Sequence, residues 1–248
     1  MQDSTALPAT VAFSADTQHS LRGSCLDGEN GECSVMSRRH VDAALVALSG
    51  VFFVAFPVIR PFDDGSGDPK VVAETFASGA WVVAHVLGLL AFILLALGLH
   101  GFIHYARNQN LAYAGFFLTT IGAGLTVAFF GAEAFGLHSI GEQALRESRT
   151  DALELANDLR FGPAIFVMLA GLLTVVIGTG VVAFAVWKSS LPSWSIATLA
   201  VGVFLWAVVL GVASPNQPLR IAESLLLATG LWALAWSMLR GQPLTTGT

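Results

Sequence analysis

Three ionisable residues, His85, Glu133 and Glu223, fall inside long apolar stretches of the sequence. A group that can carry charge is expensive within a bilayer and faces a partner or a cavity, so each is a candidate for chemistry. His85 and Glu133 flank a short polar break near residues 108–109. If the two flanking stretches form an antiparallel helical hairpin, equal counts from that break put residue 85 level with residue 132. His85 then meets Glu133. Glu223 lies early in the last apolar stretch and reaches a similar depth, while Arg60, Arg220 and His138 lie nearer the same surface. These six residues are the ligand-binding candidates. Carboxylates and imidazoles hold protons or cations, and guanidinium groups hold anions.

Metal and haem chemistry need more convergent ligands. His85, Glu133 and His138 are the metal candidates, although a straight helix puts His138 about 140° around the axis from Glu133. The expectation is that the protein carries no cofactor. A single haem b between His85 and His138, or one metal ion, are the arrangements these residues leave open. Two stacked haems fail on ligand count, because no histidine follows His138. His100 and His104 are spaced i, i+4, but they sit beside Tyr105 and Arg107 at the end of an apolar stretch, where such residues serve as interfacial anchors. The chain has no HExxH, GxSxG or Walker pattern. Its two cysteines, Cys25 and Cys33, lie in the polar N-terminal segment with no zinc spacing, and the acidic run 26–32 lacks the ligand alternation of a calcium loop.

The elements that position these residues follow from where charge is missing. Only 12% of the 248 residues are charged, 54% are hydrophobic, and the mean hydropathy is +0.69. Charge is absent from 43–59, 75–106, 108–132, 161–187, 189–219 and 224–239. Five of these six stretches meet the roughly 17–25 residues of a bilayer-spanning helix. The pattern excludes a soluble globular enzyme, a disulfide scaffold and a nucleic-acid binder. It predicts an all-α integral membrane protein, a six-transmembrane-helix bundle with helices at about 41–60, 79–105, 111–137, 161–187, 191–213 and 218–239. Residues 1–40 read as a disordered polar tail, with Met36 before Ser-Arg-Arg-His as a possible alternative start, and 240–248 as a short C-terminal tail. Within the third helix Thr119, Gly122, Thr126 and Glu133 share one stripe, as do Gly171, Thr174 and Gly178 in the fourth; such stripes face protein rather than lipid.

Six spans place both termini on one side. Basic residues tie at six a side, but Arg38 and Arg39 precede the first span, and the short connections at 106–110 and 188–190 carry Arg107 and Lys188. That side is assigned to the cytoplasm of a cell (plasma or inner) membrane. The opposite side owns the longer connections, 61–78 and 138–160. In the second of these Leu145, Ala152, Leu155, Ala156 and Leu159 recur with helical period, predicting one amphipathic extracytoplasmic helix. The functional expectation is a protein that binds or transports a small molecule, lipid or ion at a polar extracytoplasmic vestibule. A structural or partner-binding membrane subunit is the alternative, and an intramembrane metal- or acid/base-dependent enzyme the second. The bilayer and a small ligand are the expected partners.

Overall fold

The structure, a computed structural model, describes residues 29–211 and 216–240. The chain forms two compact units, Met1–Arg38 and Arg39–Thr248. The described residues are helical without strands. The helices are α1 (Glu29–Ile59), α2 (Pro69–Ala77), α3 (Gly79–Leu99), α4 (Gln109–Gly131), α5 (His138–Glu147), α6 (Ala152–Phe161), α7 (Pro163–Val186), α8 (Ser193–Gly211) and α9 (Gln217–Arg240). A 3-10 turn extends α3 over His100–Tyr105, and a π-helical segment, Ala132–Leu137, joins α4 to α5.

Local chemistry sets several boundaries. Asp68 caps α2 by accepting the Lys70 amide at 2.9 Å, with Pro69 at the first helical position. Ser78 caps α3 through the Trp81 amide, and Asn108 caps α4 through that of Leu111. At the end of α1 the Pro57 carbonyl would bond the amide of residue 61, which is a proline and has none. The Gln217 side chain donates to that carbonyl instead, at 3.0 Å, tying the end of α1 to the start of α9.

Five stretches are long and apolar enough to cross a membrane: Arg38–Ile59, Gly79–Tyr105, Gln109–Glu147, Ala152–Val186 and Gln217–Arg240. Ser193–Val209 is apolar but shorter than these. Large apolar side chains such as Phe117, Ile121, Phe166, Leu173 and Phe184 are more than half exposed, as a lipid-facing surface requires.

Within the second unit the six long helices close a ring. The Ser49 hydroxyl of α1 donates to the Ala91 carbonyl of α3 at 2.9 Å. The α3–α4 hairpin continues to α7, against which α4 packs most extensively, and α7 packs on α8. Trp206 of α8 donates its indole N–H to Ser224 of α9 at 3.1 Å, and Trp232 of α9 returns to the Ala47 carbonyl of α1 at 3.0 Å. Between α4 and α7 the backbones touch. A Cβ on Gly122 would lie 2.6 Å from the Gly171 carbonyl oxygen and 2.6 Å from the Val175 nitrogen, so only glycine fits this crossing. Phe53, Phe92, Phe56, Phe130 and Trp206 fill the centre of the ring, with neighbouring centroids 5.1–6.3 Å apart.

Several expectations are corrected. Helix α1 begins at Glu29, and the tails expected over 1–40 and 240–248 lie mostly outside the described residues. The connection 61–78 holds a short 3-10 turn, Asp63–Gly65, and α2, an element its Asp-Pro signal announces. The single amphipathic helix is two: Ser148 adopts a left-handed conformation (φ 51°) and ends α5, and α6 starts at Ala152. Its supposed apolar face also divides. Ala156 is 1% exposed and packs with Phe76, Trp81, Leu137 and Ile140, whereas Leu155 is 61% exposed. In α7, Gly171 and Gly178 are buried, but Thr174 is only half-buried and bonds its own helix at Ala170; Thr179 is the fully buried threonine.

Candidate functional site

One end of the ring carries an unbroken chain of charged contacts. His85, nearly two turns into α3, places its Nε2 3.4 Å from Oε2 of Glu133. The other Glu133 oxygen accepts from Nε of Arg160 at 3.2 Å. Nη2 of Arg160 reaches Oδ2 of Asp64 at 2.8 Å, and the same oxygen accepts from Nη2 of Arg60 at 2.7 Å. Five side chains from α3, the π segment, α6, the Asp63–Gly65 turn and the end of α1 are thereby joined in series. His85 and Glu133 are buried, and the other three are largely so.

Aromatic rings fix this chain in place. The Arg60 guanidinium lies over Phe62 and Trp81, 4.7 and 4.9 Å from the ring centroids, and Arg160 lies over Phe161 and Phe76. The Trp81 indole N–H donates to the Glu133 carbonyl at 2.9 Å. The indole thus binds the backbone of the π segment that carries Glu133. The His85 ring packs on Trp81, Phe56 and Phe130, linking the charged end to the aromatic centre.

The geometry assigns a tautomer. Nδ1 of His85 lies 2.7 Å from the Trp81 carbonyl, which can only accept, so Nδ1 carries hydrogen. In a neutral imidazole Nε2 is then a bare lone pair. Facing an ionised carboxylate, that lone pair would be repelled. The 3.4 Å contact is thus an ion pair only when the imidazole is protonated.

Other candidates take separate partners. Arg220 and Glu223 face each other at 3.6 Å, one turn apart on α9. Arg220 lies within Coulombic range of Arg60 and Asp64, and the Glu223 carboxylate is buried with neither oxygen in a hydrogen bond. His138 bonds the Phe76 carbonyl at 3.1 Å and approaches Glu142 at 3.6 Å, so it does not join His85 and Glu133. Among the described residues no three His, Cys, Asp or Glu side chains are grouped to hold a metal ion. His100 and His104 are exposed with ring centroids 6.1 Å apart, the former packed on Phe116.

Asp64, Arg160 and Trp81 escaped the sequence reading. The signals were present: Asp64 follows Arg60 by four residues, and Arg160 is the last charge before the fourth apolar stretch, as Arg60 is the first after the opening one. Comparison with protein families, with curated proteins and with solved structures gives no match.

Proposed function

We propose that the chain is a multi-pass membrane protein that binds or transports a small molecule, lipid or ion at a polar vestibule on the charged end of the bundle. We place that end on the extracytoplasmic side of the cell membrane, with six crossings and both termini in the cytoplasm. The observation that carries the reading is the buried His85–Glu133 pair, linked through Arg160 and Asp64 to Arg60. Burying such groups costs several kcal/mol per ion, and a well-packed apolar substitute is often as stable or more so. Charge kept at that cost fits a ligand or proton site better than a fastening.

The same contacts give a second reading some support. Both Glu133 oxygens and both arginines find partners within the chain, as they would in a structural subunit whose charges only lock the helices. Native mass spectrometry of gently extracted protein separates the two. The vestibule reading expects a bound lipid or solute on the wild type that is lost from the folded double variant His85→Leu/Glu133→Leu. Identical bound masses on the two proteins, or none on either, would overturn it in favour of the structural subunit.

A further inference from the structure

We propose that Arg60 and Arg160 form a binding site for a small carboxylate anion, and that Asp64 occupies it in this conformation as an internal stand-in. The inference rests on the vestibule reading and names its ligand class.

The two guanidinium groups are held without Asp64. Arg60 is stacked between Phe62 and Trp81, and Arg160 is braced by Phe161, Phe76 and the Glu133 carboxylate. Asp64 is the replaceable member. It sits in a three-residue 3-10 turn followed by Ser66 and Gly67, and no atoms crowd Gly65 or Gly67. A small rearrangement of that turn withdraws the carboxylate and leaves the arginines standing. Asp64 also meets both arginines through one oxygen, Oδ2. A free carboxylate can give one oxygen to each guanidinium, the planar arrangement that arginine favours.

Charge counting points the same way. Two guanidinium groups, Arg60 and Arg160, face two carboxylates, Asp64 and Glu133, so withdrawing Asp64 leaves one positive charge unmatched. A monoanion in the place of Asp64 neutralises that charge. The aromatic faces of Phe62, Trp81, Phe76 and Phe161 around the guanidinium groups suit the carbon skeleton of an organic acid.

Chemical rescue tests the proposal on the purified full-length protein. Asp64→Ala and the isosteric Asp64→Asn are melted in sodium formate and in sodium chloride at equal ionic strength. Both variants should unfold below the wild type in chloride and regain most of the difference, saturably, in formate, while the wild type responds alike to both salts. Adding Arg160→Gln to Asp64→Ala should abolish the recovery. The carboxylate site is wrong if formate acts on the variants no more than on the wild type, or if recovery survives Arg160→Gln. Recovery with inorganic phosphate or anionic-lipid micelles but not formate also rejects the carboxylate assignment. A mass retained by the wild type without any formate response rejects this inference alone and leaves the vestibule standing. No retained mass together with no response rejects both.

Discussion

Glu133 is where burial, charge and geometry meet. Its depth opposite His85 is legible in the sequence, because a hairpin with a short turn fixes which residues are level. Arg160 as its second partner is not legible, since it comes from beyond two turns and a left-handed residue that periodicity does not reveal. Removing one member of a buried ion pair leaves the survivor uncompensated, at a cost on the order of 3–5 kcal/mol. Glu133→Ala and His85→Ala should each lower the unfolding temperature well beyond Thr120→Ala, an exposed change that loses only a bond to its own helix. His85→Leu/Glu133→Leu should regain much of that loss. Singles as mild as Thr120→Ala would mean that the contact contributes nothing in solution.

Helix existence was the most legible feature and helix ends the least. Charge-free stretches reveal apolar helices, but they do not show that α5 and α6 break at Ser148 or that α4 passes through a π turn before α5. The polar and small stripe of α4 does identify the face turned to protein: Thr119 and Thr126 are buried, each bonded back to a glycine carbonyl of its own helix at 2.9 Å. Close approach explains the glycines on that face. Gly122→Ala should destabilise by about 1–3 kcal/mol, because the atoms a methyl would meet are backbone and cannot turn away. Gly180→Ala, on the partner helix α7 but facing open space, should be neutral or stabilising by up to about 1 kcal/mol through helix propensity. Thermal unfolding of the two variants side by side checks this, and an equal response would deny the crossing its role.

At the scale of the molecule, five stretches reach spanning length, and the sixth, α8, is shorter although it completes the ring between α7 and α9. Our account requires that α8 crosses as well, and that the two longer connections emerge together at the charged end, outside the cell. Hydropathy could not show this, because the basic residues divide evenly between the two sides. Single cysteines introduced into a chain with Cys25 and Cys33 changed to serine test it directly, at the exposed positions Ser66, Asn110, Ser148 and Ser190. An impermeant thiol reagent applied to intact cells should label positions 66 and 148 and leave 110 and 190 protected until the membrane is opened. Labelling at 110 and 190 with protection at 66 and 148 would invert the protein. Opposite behaviour of 66 and 148 would contradict a single vestibule formed where those two connections meet.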